Sequence, residues 1–511
     1  MIHISEKPIL LAGVPSLTDF GLDAYATLEL ETNLVRETEL EIVLGEVLAP
    51  GGAINREPGG FRTVRSMRKH CPAGKYRFRF ELPQHKSPYL HTVSIPVPAE
   101  AEGEIVPFRY VEISGGEGRA VLRRHEFFPE FNDEAAHFEC SDAGLNRIWD
   151  FCKYTMKATG VFGIYIDGER ERKPYEGDAY INQLGHFCCD ANYMIARDTI
   201  DYLLEHPTWP TEWHLLMPLV VRDYLLYSGD AASAGRWRPA LKERTLLHHA
   251  GDDLLIREQN DIRDIVDWPQ CERDNYEFGQ VNLVPNCYHH QALSVMYELS
   301  GDDFYRRRAA QVREAIRRTM LKNGVFVDNP ESSHVSLHGA MFAMLFDIAG
   351  PDEIPALTAI LRARGMACSV YGAQFLLETC YKWDMADHAL NLMTATGLRS
   401  WHNMLDKGAT ITMEAWDDSL KPNQDWNHAW GAAPANIVTR ELCGIKPTAP
   451  GFTAFQVRPQ PGGLTSFNMR QPTIHGAIEL EYRNGGYLLT VPRNCTGTFN
   501  AREYGPGTHR L

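Results

Sequence analysis

The stretch CSDAGLNRIWDFCKYTMKATG, residues 140–160, is where the chain changes period. Leu145, Ile148, Trp149 and Cys152 recur at spacings of three and four, which places them on one face of a helix. Ser141 stands just ahead of that run as the expected N-cap. From 138 to 446 the same periodicity dominates. In DDFYRRRAAQVREAIRRTMLKNG, residues 302–324, the expected buried stripe is Tyr305, Ala309, Val312, Ile316 and Met320, with Asp302 and Asp303 at the start and Gly324 beyond the end. Ten or more such segments fit in this span, so the central domain is predicted to be all-helical. A closed barrel of helix pairs and an open solenoid share this periodicity. No repeat of fixed length is visible, which favours the barrel.

The flanks alternate with a period of two. In KYRFRFELP, residues 75–83, Tyr76, Phe78 and Phe80 share one face and Arg77, Arg79 and Glu81 the other, as in a half-buried strand. With the Gly-Pro clusters at 49–52 and 57–60, residues 1–137 are expected to form an antiparallel β-sandwich. Residues 447–511 are expected to form a second, smaller β-sandwich. There GAIELEYRNGGYLLTV, residues 476–491, reads as a hairpin turning at Asn484, Gly485 and Gly486.

The 511 residues carry a formal net charge of −15, which repels a phosphate backbone and an anionic membrane surface, so neither nucleic acid nor membrane is an expected partner. There is no run of eighteen apolar residues and no signal-peptide pattern at the start. The expected location is cytoplasmic, or periplasmic or secreted had a leader been removed. Eleven scattered cysteines without a Cys-x-x-Cys pair read as reduced core thiols. The pairs His289/His290 and His334/His338 lack the surrounding ligands of a metal site and read as hydrogen-bonded histidines. No metal and no cofactor is expected, and nothing indicates an oligomeric state.

Two stretches of the helical region gather acids and aromatics outside the helical stripes. In DGERERKPYEGDAY, residues 167–180, five acids stand among Arg170, Arg172 and Lys173, with Pro174 and Gly177 expected to break any regular helix. Alone, this stretch reads equally as an ion-paired turn. The other is DKGATITMEAWDDSLKPNQDWNHAWG, residues 406–431, where Glu414 lies in a run of Thr, Met and Trp without balancing lysines. A carboxyl group so placed is expected to be partly desolvated, as a general acid or base requires. Trp209, Trp213, Trp268, Trp416, Trp426 and Trp430 sit in loop-like contexts, either as faces for sugar rings or as anchors of helix ends. Glycoside hydrolysis, which places two carboxyl groups across one bond, accounts for both stretches together.

ERKPYEGD, residues 171–178, resembles the Glu-Arg-x-Gly-Trp-x-Gly-Asp core of glycoside hydrolase family 78, the α-L-rhamnosidases, and KGATITMEAWD, residues 407–417, resembles that family's segment around its base. FRYVEISG (108–115), CSDAGLNRIWDF (140–151), HVSLHGAMFAM (334–344), WNHAWG (426–431) and GIKPTAPGFTAFQVRPQPG (444–462) match in the same order. The resemblance implies an (α/α)6 barrel between β-domains and hydrolysis with inversion. It casts Glu171 as general acid and Glu414 as general base, with a gap of roughly 6.5 to 9.5 Å between them to admit water. Asp167 and Asp178 would bind rhamnose hydroxyls and Arg170 would flank the acid. Tyr175 stands where the family has tryptophan, Asp267 with Trp268 matches an Asp-Trp pair of the pocket, His428 matches a pocket histidine, and Trp213, Trp416 and Trp430 would supply sugar faces. The implied partner is a rhamnose-containing oligosaccharide or glycoside, cut at its non-reducing end. Pro174-Tyr175 in place of Gly-Trp, Met413 in place of tryptophan and a shortened lead-in before the acid depart from the family. Two other readings are another (α/α)6 sugar enzyme, of unsaturated glucuronyl hydrolase or lyase type, and a non-hydrolytic sugar-binding relative.

Overall fold

The computed structural model describes residues 1–89, 93–259 and 262–511. The N-terminal strands are β1 (Ile2–Ala12), β2 (Ser16–Leu34), β3 (Thr38–Gly45), β4 (Val64–Cys71), β5 (Gly74–Arg79), β6 (Val106–Ser114) and β7 (Glu117–Phe127). They hydrogen-bond as one seven-stranded sheet, in the order β1-β7-β2-β6-β3-β4 with β5 also on β2. All of its pairings are antiparallel.

Strand β2, 19 residues long, serves two partners along one edge, β6 near its start and β5 near its end, while β7 takes the other edge. Its register slips between Asp19 and Ala24, as at a bulge that bends a strand. One core receives Leu11, Leu30, Ile42, Cys71, Phe78, Phe108 and Leu122, a residue from each strand. In place of the expected sandwich of two sheets, the strands form one continuous hydrogen-bonded sheet with this cluster as its main core, while Tyr25, Val43, Tyr110 and Phe127 pack into other clusters. Phe78 and Phe80 point inward as the alternation requires.

Strand β8 (His137–Cys140) then pairs with the C-terminal sheet before the chain turns helical. The helices are α1 (Ala143–Thr159), α2 (Glu176–Cys189), α3 (Met194–Glu205), α4 (Thr211–Ser228), α5 (Ala231–Arg244), α6 (Leu283–Ser300) and α7 (Asp303–Met320). After a small hairpin of β9 (Leu321–Lys322) and β10 (Val325–Phe326) come α8 (Leu337–Leu345), α9 (Ile354–Arg364), α10 (Val370–Lys382), α11 (Ala386–Met393), α12 (Trp401–Asp406) and α13 (Pro434–Ile437). Packing runs in a closed circuit from α2 to α4, α6, α8, α10, α13 and back to α2. Outside it, α3 and α5 lie on α4, α7 on α6, α9 on α8, α11 on α10, and α1 on α2 and α13.

Sequence pattern explains which helix goes where. Every residue of α2 is buried, as in a helix surrounded by others, whereas α7 buries only a stripe that includes Tyr305, Ala309, Val312, Ile316 and Met320. Helix α7 stops at Met320, and Gly324 serves instead in the hairpin turn, where Asn323 and Gly324 have φ of 51° and 79°. The α1 stripe of Leu145, Ile148, Trp149 and Cys152 is buried. Its cap, however, is Asp142, whose carboxylate accepts from Leu145 N at 2.9 Å. Ser141 Oγ accepts from Thr465 N at 3.0 Å, joining the helical domain to the C-terminal one.

The C-terminal strands are β11 (Ile445–Pro447), β12 (Ala454–Val457), β13 (Ser466–Gln471), β14 (Ile478–Arg483), β15 (Gly486–Val491), β16 (Thr496–Phe499), β17 (Arg502–Tyr504) and β18 (Gly507–Arg510). They make two sheets, β11-β12-β16-β17 and β18-β15-β14-β13-β8. The predicted hairpin is β14–β15, turning on Asn484 and Gly485 at φ of 47° and 92°, with Gly486 already in β15. All eleven cysteines are free, and Cys271 is exposed. Among the described residues no helix is long and apolar enough to cross a membrane.

The caps separate by substitution. Asp142→Ala is expected to cost about 1 kcal/mol, the usual worth of an N-cap side chain, and Ser141→Ala less, because Ser141 caps nothing. Denaturation midpoints of the two variants measure the difference.

Candidate active site

Loop 163–175 enters α2 through a turn closed by its own backbone. Asp167 N donates to Lys173 O at 2.9 Å, Lys173 N returns a bond to Asp167 Oδ1 at 3.0 Å, and Arg172 takes a φ of 49°. Pro174 ends this turn. Gly177 does not: it lies in the first turn of α2, and a Cβ there would come within 2.6 Å of the Trp213 indole. Its small size lets the first turns of α2 and α4 meet, so that Asp178 and Trp213 line one cleft. Gly168 is likewise pressed against the Asp425 carboxylate.

These elements wall a cleft of about 710 Å³. Ten of the sequence-expected residues line it: Asp167, Arg170, Glu171, Tyr175, Asp178, Trp213, Trp268, Glu414, His428 and Trp430. Two others, Asp267 and Trp416, do not. Asp267 is fully buried and accepts from Ser369 N at 2.9 Å and Trp268 N at 2.8 Å, with His338 Nε2 at 2.7 Å, so it pins the loop beneath Trp268. Trp416 donates Nε1 to Cys368 O at 2.8 Å and stands edge-on to Trp401, as a core anchor.

The charges sort themselves. Arg170 grips Glu414 with both terminal nitrogens, at 2.5 and 2.8 Å, and its Nη2 also reaches Glu171 Oε1 at 3.3 Å. Lys421 Nζ adds a second cation, 3.3 Å from Glu414 Oε1. Glu414 is thus buried as expected, but balanced by Arg170 and Lys421, whose proximity its local run of Thr, Met and Trp does not reveal. Tyr175 O–H donates to Glu171 Oε2 at 2.6 Å. Arg172 faces away from the cleft and pairs with Glu169 at 2.8 Å and with Glu104 of the N-terminal domain at 2.6 Å. Glu176 also turns away, accepting from Thr208 N at 3.1 Å. Of the five acids in residues 167–178, Asp167, Glu171 and Asp178 reach the cleft.

Beside this pair lies a second charged group. His428 Nδ1 bonds Asp425 Oδ1 at 3.0 Å, and its Nε2 lies 3.0 Å from Asp178 Oδ1 without the alignment of a hydrogen bond. Burial opposes the imidazolium, yet the two carboxylates outweigh burial and hold His428 well above its ordinary value. Burial raises Asp178, with His428 opposing. Burial, reinforced by the Glu171 charge, holds Asp167 well above its ordinary value. Asp167 Oδ2 and both Asp178 oxygens have no hydrogen-bond partner among the described residues. Asp178 Oδ1 still faces the His428 imidazolium, whereas buried atoms such as Asp167 Oδ2 and Asp178 Oδ2 each cost about 1–3 kcal/mol unless something polar meets them, and their place on the cleft wall suits hydroxyl groups.

Glu414, Asp425 and His428 bring ligand-type atoms within 4.8 Å of one another. Arg170 and Lys421 already occupy the Glu414 carboxylate, and His428 carries charge between two acids, so a metal ion would have to displace an existing set of ion pairs. His289, His290 and His334 each make a Nδ1 hydrogen bond away from the cleft.

Sequence reasoning did not find Lys421, Asp425, Lys173 or Tyr89. Lys421 and Asp425 lie within the second acidic stretch, and their spacing from Glu414 gave no sign of contact because the segment is irregular. Tyr89 comes from the N-terminal domain and is 45% exposed on the cleft rim. Trp209, recognised as loop-borne but given no site role, is 42% exposed on the same rim.

Two outcomes follow for the cleft. Gly177→Ala forces the Trp213 indole aside, so its fluorescence and the crystallographic position of its ring are expected to change while the fold survives. The raised His428 stabilises the fold most fully below the ordinary histidine value of about 6.5, and that contribution fades only as pH rises through its higher folded value. At pH 7.5 histidine nitrogen NMR is therefore expected to show His428 still doubly protonated; a neutral tautomer would remove the charge from this cluster.

The chain resembles known proteins along most of its length. Residues 133–442 match the family model of the bacterial alpha-L-rhamnosidase 6 hairpin glycosidase domain, and residues 444–500 match that of the bacterial alpha-L-rhamnosidase C-terminal domain. An alpha-L-rhamnosidase of Streptomyces avermitilis is 28% identical over 155 residues, covering 27% of this chain and 15% of that protein. Among solved structures, S. avermitilis alpha-L-rhamnosidase complexed with L-rhamnose superposes with a TM-score of 0.77 at 17% identity, covering 100% of this chain and 53% of that one. The family 78 rhamnosidase of Bacillus sp. GL1 gives 0.73 at 18% identity, covering 93% and 51%. A Klebsiella oxytoca rhamnosidase with rhamnose bound gives 0.64 at 16%, covering 84% and 88%. This chain spans about half the length of the first two structures. With more than half of its residues in the glycosidase-domain match and the adjoining C-terminal domain matched in order, the chain belongs to the family of bacterial α-L-rhamnosidases.

Proposed function

We propose that this protein is an inverting, exo-acting glycoside hydrolase that releases terminal α-L-rhamnose from a small glycoside. Its helical domain is read as an (α/α)6 barrel, supported by the closed circuit of six inner helices and by the match to a six-hairpin domain. One observation carries the mechanism: Arg170 joins Glu171 to Glu414 inside a cleft whose remaining acids are short of partners.

In this reading Glu171 is the general acid. Tyr175 occupies its Oε2, so the proton leaves from Oε1 toward the glycosidic oxygen. Glu414, oriented by Arg170 and Lys421, accepts a proton from water attacking the opposite face of the sugar. Asp167 and Asp178 bind sugar hydroxyls through their unpartnered oxygens, Asp167 with its own proton to donate. Trp213 and Trp430 face the sugar ring, and the apolar rim of Trp209, Trp268 and Leu420 faces the leaving group.

The carboxyl spacing adds a requirement. Arg170 Nη2 lies 3.3 Å from Glu171 and 2.8 Å from Glu414. The nearest carboxylate oxygens are therefore no more than about 6 Å apart, with the Arg170 guanidinium between them where inversion needs room for water, the carboxyl groups then standing roughly 6.5–9.5 Å apart. Arg170 must give up its longer contact with Glu171 as sugar and water enter. A uronate-cleaving enzyme would need a cation for the substrate carboxylate; Arg170 and Lys421 are committed to Glu414, which leaves Lys173, lying over the Tyr175 ring, as the lysine of the cleft wall that would have to meet it.

Hydrolysis of p-nitrophenyl α-L-rhamnoside, followed by NMR of the first anomer released, is expected to yield β-L-rhamnose. Release of the α anomer would overturn inversion, and absence of turnover on rhamnosides would overturn the sugar. Glu171→Gln and Glu414→Gln are each expected to lower turnover by about 10²- to 10⁴-fold while L-rhamnose still binds. Near-normal turnover in either variant would remove that residue from its role.

A further inference from the structure

The residues of the N-terminal sheet stop short of the catalytic carboxylates, yet one of them is wired to the acid's loop. Glu46 follows β3 and is buried. Its Oε1 accepts from Asn427 Nδ2 at 3.2 Å. The Asn427 Oδ1 accepts in turn from Glu169 N at 2.7 Å and from Tyr25 O–H of β2 at 3.2 Å. Glu169 lies two residues before Glu171, and Asn427 immediately precedes His428. Glu46, Asn427, Glu169 and Tyr25 are all buried, so water does not compete for these bonds.

We propose that Glu46 is a positioning residue: it orients the Asn427 amide, which holds the Glu169 N–H and so sets where the Asp167–Glu171 turn presents its carboxylates. The side chain of Asn427 has one oxygen and one NH2 group, and a flipped amide would turn its donor toward Glu169 N. Glu46, an acceptor on the Nδ2 side, excludes that flip. Tyr25 O–H donates on the Oδ1 side but, as a hydroxyl, can accept from a flipped amide too, so the choice of orientation on the N-terminal side falls to Glu46. The amide is thus held from two directions by the N-terminal sheet, on behalf of a loop in the helical domain. Glu46 is itself seated by Thr63 N–H and by the Asp23 carboxyl of β2. Two carboxyl groups can meet there only with a proton between them, which gives Glu46 a fixed orientation rather than a free rotor.

This proposal rests on the reading of Glu171 as the acid, and its test separates the two. Glu46→Ala is expected to speed hydrogen exchange at the Glu169 amide at least about tenfold, since that bond then depends on an amide free to flip. Exchange needs no substrate, so it decides the positioning link even if no rhamnoside is cleaved. On p-nitrophenyl α-L-rhamnoside the same variant is expected to lose kcat by about 100-fold, the cost of misplacing a catalytic group by about 1 Å, with KM little changed. Glu46→Gln, which keeps an oxygen toward Asn427, is expected to restore most of both losses. Asp23→Asn, which leaves the Glu46–Asn427 bond in place, is expected to lower thermal stability without the kcat loss. Unchanged exchange at Glu169 in Glu46→Ala overturns the proposal, as does an equal kcat loss in Asp23→Asn, which would reveal a general weakening of the interface. Should Glu46→Ala fail to fold, Asn427→Ala removes the same link from its other end, and wild-type exchange at Glu169 in that variant overturns it equally.

Discussion

The Arg170 guanidinium is the interaction on which the cleft depends. It is buried, and burying a cation is affordable only where acids surround it. Glu414 supplies a two-pronged contact, Glu171 a longer one, and Phe61 of the N-terminal domain lies under its flat face. The partners in the helical domain come from loops 244 positions apart. A buried ion pair of this kind is weak evidence of net stability, because desolvation offsets most of its attraction. Its contribution is geometrical: a planar fork accepts two carboxylates only in a restricted arrangement, and so the two carboxyl groups assigned to the reaction are held in one frame.

That frame needs support from outside the helical ring. The β3–β4 connection of the N-terminal sheet hydrogen-bonds to the loop after Glu414 through Phe61 N and Gln424 O, and Arg62 pairs with Asp418 and covers Trp426. Gly60 is in van der Waals conflict with any side chain larger than its own, since a Cβ would meet the Gln424 carbonyl. Arg172 reaches the opposite way, from the Asp167–Lys173 turn to Glu104 and the Ile105 carbonyl. Both loops of the cleft therefore lean on the N-terminal sheet, one through backbone bonds and one through an ion pair. A β-domain that served only as a tether would have no reason to make these buried contacts with the two loops of the cleft.

Much of the architecture was legible because it rests on local periodicity. The stripe of Leu145, Ile148, Trp149 and Cys152, the amphipathic α7 and the Asn484-Gly485 hairpin each follow from spacing or from turn chemistry within a few residues. The errors were equally local in origin. Ser141 and Asp142 are both good caps, and only the arriving Thr465 amide shows which is engaged elsewhere. Gly177 looks like a helix breaker until the Trp213 indole fills the space its missing side chain leaves. Asp267 and Trp416 have the composition of site residues but are consumed by hydrogen bonds to Ser369, His338 and Cys368.

The residue chemistry, two acid- and aromatic-rich stretches on a helical scaffold, was determined by the sequence alone, because identity and spacing are properties of the chain itself. Which of those acids meet was decided only in three dimensions. Arg170 and Arg172 are separated by a single residue and have the same charge, yet one faces the cleft and the other the N-terminal sheet, because the turn at Arg172 takes a positive φ. Glu414 has no cation among its immediate neighbours and receives two, one from a loop that sequence distance places far away. Coulomb attraction and desolvation depend on distance through space, and for those quantities the separation along the chain carries no information.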